Sequence, residues 1–137
     1  MATGDDRCIG YAVHQVFEPC TVDDVLEDGE ELVVRGLHVR GIAAPGHAEG
    51  LMVYEIALDG EHCWFVGDLL ITTHAHTDVE LPWTGGPDFD KAAYLRSMAR
   101  LIHMPCDHVL PGHGPAAIGC GKRIVEEAYT EAMRAWR

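Results

Sequence analysis

No Cys-x-x-Cys pair, no apolar leader and no surplus of basic side chains occur in this sequence, and each absence removes a class of function. The five cysteines, Cys8, Cys20, Cys63, Cys106 and Cys120, are odd in number and unpaired in spacing. They form neither a zinc ribbon nor a closed disulfide framework, and reduced intracellular thiols are the simpler expectation. Residues 2–8 are polar and acidic, and no apolar run approaches membrane-spanning length, so a cytoplasmic protein without a membrane partner is expected. Ten basic side chains against twenty-two acidic ones give a net charge of −12. That field repels phosphate backbones, so nucleic acid is not expected as a partner either.

What is present is the composition of one globular domain: 137 residues, 47% hydrophobic and 23% charged. Residues 1–24 carry only short apolar patches, broken by Pro19, and read as a lead-in; residues 25–137 read as the domain. Asp28-Gly29 marks a turn, and residues 31–37 and 37–43 suit two strands pivoting near Gly36. Residues 51–58 are nearly all apolar, Asp59-Gly60 is the strongest hairpin signal in the chain, and residues 62–66 form the return strand. Residues 69–87 read as a long loop. Asp88 or Asp90 can cap a helix running to about residue 103, with Leu95, Met98, Leu101 and Ile102 on one face. A strand at 108–110 follows, and then a last helix with Ile124, Val125, Ala128 and Ala132 as its apolar stripe. Cys63 and Cys106 read as core residues.

Three of these apolar strands end on polar side chains of one chemical set. Pro45-Gly46-His47 follows the second strand, Trp64-Phe65-Val66-Gly67-Asp68 closes the fourth, and Val109-Leu110-Pro111-Gly112-His113-Gly114-Pro115 closes the last. Two imidazoles and one carboxylate delivered by strand ends are a ligand set for a divalent metal such as zinc or iron. The three positions are 21 and 45 residues apart, too far for a local helical pair, so only the fold can bring them together.

These motifs, in this order, resemble the later metal motifs of the metallo-β-lactamase-fold hydrolases. Residues 25–32 and 112–119 are particularly similar to glyoxalase II-like thioester hydrolases. The resemblance implies an α/β (α+β) fold that is half of an αββα sandwich, a mixed β-sheet with helices on one face. It further implies that His47 binds a first metal, Asp68 bridges two and serves as the catalytic carboxylate, and His113 binds the second. Zn2+ is the expected ion, with Fe2+ or Mn2+ as alternatives, and the implied reaction is hydrolysis of a small thioester or ester. The family's His-x-His-x-Asp-His motif does not occur before residue 45, so the chain reads as a C-terminal half, truncated and incomplete on its own. His74-Ala75-His76-Thr77-Asp78 is similar to that motif but falls after the bridging aspartate. His74, His76 and Asp78 are therefore candidates for a substrate loop, with Trp83 a candidate pocket wall and Lys122 and Arg123 candidate anion contacts.

With half of the sandwich missing, one apolar sheet face is expected to be bare and to be covered by a second copy or by a partner chain. The alternative to a hydrolase is a non-catalytic interaction module, or a truncated gene product that retains the fold.

Overall fold

A computed structural model describes residues 20–73 and 78–136; Cys8 and nearly all of the lead-in lie outside them. Strands β1 (Glu31–Val34), β2 (Leu37–Ala43), β3 (Met52–Leu58), β4 (Glu61–Gly67) and β7 (His108–Pro111) form one sheet in the order β1-β2-β3-β4-β7. All pairs are antiparallel except β4 with β7, which are parallel, so the sheet is mixed. The parallel step requires a crossover, and helix α1 (Lys91–Leu101) supplies it. Helix α2 (Gly121–Ala135) closes the chain.

Both expected hairpins form. Arg35-Gly36 and Asp59-Gly60 are two-residue loops in which both residues take positive φ, the backbone whose twist matches the flanking strands. Asp90 caps α1, its carboxylate accepting from the Ala93 amide at 2.9 Å, and the helix stops at Leu101, two residues short of the predicted end. Of the expected face, Met98 and Leu101 are buried beside Tyr94 and Ser97, and Leu95 and Ile102 are partly buried against the same core. The region 69–87 is not all loop: β5 (Ile71–Thr72) and β6 (Val79–Glu80) pair as a small ribbon.

Alternation along the strands decides what lies on each face. Ile42, Val53, Trp64, Val66 and Val109 share one face and meet Tyr94, Met98, Leu101, Ile124, Val125, Ala128 and Ala132 from the two helices in a single core. Glu55 is buried on that face too, where it accepts from Trp64 Nε1 at 2.9 Å and faces His62 Nδ1 at 3.2 Å. Cys63 and Cys106 are buried as expected, and desolvation raises both thiols, Cys106 to about 12. Among the described residues, no helix is long and apolar enough to cross a membrane.

Two contacts pin the helix layer to the strand ends. Arg100 of α1 makes a paired contact with Asp28 at 2.8 and 2.6 Å, and the same carboxylate accepts from the Ala43 amide at 2.8 Å. The Arg100 hydrogen bond, followed by that from Ala43, holds Asp28 well below the usual carboxylate range, at about 2. Tyr94 is the second pin. Its hydroxyl donates to the Leu69 carbonyl at 2.8 Å, and its backbone sits so close to Gly46 that a Cβ there would fall 2.3 Å from Tyr94 Cα.

A carboxyl whose pKa is lowered by folding contributes stability above its unfolded value near 4 and loses it as pH falls through the folded value. The urea midpoint of the wild-type chain should therefore exceed that of Asp28→Asn by a constant margin above about pH 4.5, and the margin should close toward pH 2. Tyr94→Phe leaves the buried Leu69 carbonyl without its donor, and should cost about 1–3 kcal/mol in urea unfolding at neutral pH.

Candidate metal centre

Each site residue sits where a strand stops, and β2, β4 and β7 all stop at the same rim of the sheet. After β2, Pro45-Gly46-His47 folds under the start of α1: the Asp90 amide donates to the Gly46 carbonyl at 2.8 Å, and Ser97 Oγ donates to the Pro45 carbonyl at 2.8 Å. After β4, Gly67 takes positive φ and turns the chain so that Asp68 faces the rim. After β7, the Gly112 amide donates to the Gly67 carbonyl at 2.7 Å. A side chain at Gly112 would put its Cβ 2.6 Å from Asp68 Oδ1, so the bare glycine is what allows the His113 loop to close on the carboxylate. Gly114 is equally constrained: its φ is +92°, and a Cβ there would meet the Thr72 carbonyl oxygen at 2.0 Å.

The fold brings the three residues together. His47 Nε2 lies 3.8 Å from Asp68 Oδ2, and His113 Nε2 lies 3.6 Å from Asp68 Oδ1. One carboxylate thus presents a different oxygen to each imidazole. On the far side of its ring, His47 Nδ1 is 3.2 Å from the Trp83 carbonyl oxygen. A carbonyl can only accept, so this contact needs a proton on Nδ1, which in the neutral ring leaves Nε2 as the nitrogen available to a metal. Neither gap is a hydrogen bond, because 3.6–3.8 Å exceeds N–H···O contact. Ligands on a common tetrahedral zinc at about 2.0–2.1 Å lie about 3.3 Å apart, so the observed gaps are close to those of donors sharing a cation.

Donor chemistry and orientation therefore fit a divalent metal, whereas donor number does not complete a site. Each oxygen–imidazole pair offers two donors against the four of a zinc centre, and among the described residues no group of three or more His, Cys, Asp or Glu side chains could hold an ion.

The loop candidates divide. His74 and His76 lie outside the described residues. Asp78 opens the β5–β6 ribbon, its carbonyl accepting from the Thr73 amide at 3.1 Å, and the β5 end of that ribbon abuts the His113 loop through the Thr72–Gly114 contact. Trp83 is 58% exposed, and its indole lies across Gly85. Lys122 and Arg123 are placed away from His113. After His113 the chain runs back down beside β7, with Ala117 bridging to Val109, so α2 begins beside the first residue of that strand. There Lys122 donates to the Ile102 and Met104 carbonyls below α1, and Arg123 pairs with Glu127 at 2.6 Å.

Tyr94, Ser97 and the Trp83 carbonyl hold the site together without bearing its chemistry, and the sequence reading missed all three. The glycine of Pro45-Gly46-His47 was the one available signal, since it marks a place where another backbone comes close.

No protein-family model matches the chain. It is 26% identical over 118 residues to the atrochrysone carboxyl ACP thioesterase of Aspergillus fumigatus, a match that takes in 86% of this chain and 34% of that protein. A metallo-β-lactamase family protein from Thermus thermophilus superposes with a TM-score of 0.64 at 26% identity, over 80% of this chain and 35% of the other. TTHA1623, solved in a di-iron-bound form, superposes with a TM-score of 0.54 at 27% identity, over 74% of this chain and 46% of the other. The chain spans about a third of the length of the curated relatives it matches. Over that third, it has the metallo-β-lactamase fold.

Proposed function

We propose that this chain is part of a metal-dependent hydrolase acting on a small thioester or ester, of the hydroxyacylglutathione hydrolase type, and that it is incomplete on its own. His47, Asp68 and His113 are its metal ligands, with zinc as the first choice of ion and iron or manganese as alternatives. The observation that carries this reading is the paired gap at Asp68, where Nε2 of His47 and Nε2 of His113 each face a different oxygen of one carboxylate, at 3.8 and 3.6 Å, with no hydrogen bond between them. Donors converging at that separation suit a shared divalent cation. A di-iron-bound protein of the same fold supports metal binding, with iron among the candidate ions, and a thioesterase among the curated relatives supports ester chemistry.

When bound, a divalent cation supplies Lewis-acid polarisation of the carbonyl under attack and lowers the pKa of water to about 7. The residues of the chain do the rest. The Trp83 carbonyl keeps His47 in the tautomer whose Nε2 is free to ligate. Asp68 bridges the two imidazoles and is the catalytic carboxylate that orients the attacking water. Substrate contact is assigned, as part of this proposal, to the exposed Trp83 indole and to His74, His76 and Asp78. The free thiols at Cys20, Cys63, Cys106 and Cys120 suit a reducing cytoplasm.

The direct test is metal retention. Chelator-treated protein titrated with zinc, iron or manganese should bind by calorimetry. Asp68→Asn should weaken that binding at least about 100-fold, because both imidazoles lose their shared partner, and His47→Ala or His113→Ala at least about tenfold. Affinity unchanged in Asp68→Asn would end the metal reading and favour a non-catalytic interaction module.

A further inference from the structure

The two imidazoles that face Asp68 are held in different ways. The His47 ring is fixed through its Nδ1 by the Trp83 carbonyl. His113 has no such partner on Nδ1 among the described residues, and its side chain is 69% exposed, so the direction of that ring rests on the backbone of its loop. Two ties along the sheet hold the ends of the loop. The Gly112 amide donates to the Gly67 carbonyl at 2.7 Å before the histidine, and Val109 and Ala117 exchange amide–carbonyl bonds at 3.0 and 2.8 Å after it.

Between those ties the turn is gripped from outside the sheet by Thr72. Its hydroxyl donates to the Pro115 carbonyl, and Gly114 lies so close over it that a Cβ there would fall 2.0 Å from the Thr72 carbonyl oxygen and 2.7 Å from Oγ1. Thr72 is 2% exposed, and a hydroxyl buried to that extent costs stability unless it is bonded. Valine would fill the same space without that cost. The hydroxyl is therefore accounted for by its acceptor, 43 residues further along the chain. The support behind it is firm: Leu69 and Leu70 are fully buried, Thr72 pairs with Val79 across the β5–β6 ribbon, and Val79 and Leu81 pack against the core.

We propose that Thr72 is the positioning residue for His113, its hydroxyl setting the direction from which Nε2 meets Asp68 Oδ1. It acts through the Pro115 carbonyl, two residues beyond the imidazole. The functional consequence rests on the metal reading: the His113 half of the centre answers to the ribbon, whereas the His47 half answers to Trp83 and Tyr94. A ligand set tolerates a misplacement of about 0.5 Å, so a loop freed at Pro115 loses metal affinity through His113 alone.

Thr72→Val removes the hydroxyl and keeps the branched shape, and Thr72→Ser keeps the hydroxyl. In metal-free protein at neutral pH, the His113 ring resonances in proton–carbon correlation spectra should shift and broaden in Thr72→Val and return toward their wild-type positions in Thr72→Ser. Those of His47 should stay in place. Zinc affinity by calorimetry should fall about tenfold in Thr72→Val and less than about twofold in Thr72→Ser. With His113→Ala already present, Thr72→Val should cost no further affinity. Thr73→Val, which removes a neighbouring hydroxyl bonded within the ribbon to the Asp78 carbonyl at 3.2 Å, should leave the His113 resonances unchanged. Unmoved His113 resonances in Thr72→Val, a serine variant no better than the valine one, or an equal response in Thr73→Val overturns the assignment. So does zinc affinity equal in wild type and Thr72→Val, or a loss that persists in the His113→Ala background. Wild-type protein that binds no zinc, iron or manganese removes the metal reading alone, since the resonances of the metal-free protein still decide the role of Thr72.

Discussion

Everything at the rim depends on how tightly Tyr94 meets the backbone at Gly46. A helix can approach a loop that closely only if the loop has no side chain there, and a Cβ at Gly46 would overlap Tyr94 Cα at 2.3 Å. The same tyrosine spans to the far side of the site, where its hydroxyl holds the Leu69 carbonyl just after Asp68. One buried residue of α1 thus fixes the loops of His47 and Asp68 relative to each other, and Trp136 braces its ring edge-on with centroids 5.1 Å apart. The third loop needs no helix. It is tied to the second by the bond from the Gly112 amide to the Gly67 carbonyl. Three strand ends of a twisted sheet would otherwise wander by more than the tolerance of a ligand set.

With the loops fixed, electrostatics accounts for the remaining arrangement. A single carboxylate faces both imidazoles at 3.6–3.8 Å, beyond hydrogen-bond contact and close to the spacing of donors on one cation. Nor can His47 relieve the gap by turning its ring, because its other nitrogen is committed to the Trp83 carbonyl. The loop that carries Trp83 thereby becomes part of the site through its backbone, and its exposed indole is brought to the rim by the same bond.

How much of this was legible in the sequence follows from which interactions are local. The hairpin at Asp59-Gly60 was readable because two positive-φ residues in a row leave a compositional trace, and the strand ends at His47, Asp68 and His113 because apolar runs stop at glycine. The cap at Asp90 was readable for the same reason. The β5–β6 ribbon was not, since two-residue strands carry no periodicity. The burial of Ser97 was not readable, because its bond goes to the Pro45 carbonyl, 52 residues away, which no local pattern records. Lys122 seemed close to His113 because they are near in sequence. The intervening residues run back along β7, so closeness in sequence became distance along a strand.

The uncovered face was foreseeable from one strand. Strands half-exposed to water alternate apolar with polar residues, and β3 does not: Met52, Tyr54, Ile56 and Leu58 are as apolar on the open face as Val53 is on the closed one. A strand apolar along the face it turns from the helices is suited to burial there too, so β3 carries the composition of an inner layer while Tyr54 and Leu58 lie exposed. The rim that holds His47, Asp68 and His113 borders this same face. Whatever second layer excludes water from Tyr54 and Phe65 therefore stands beside Asp68 as well, and burying the sheet and supplying donors to a half-built centre become one structural requirement.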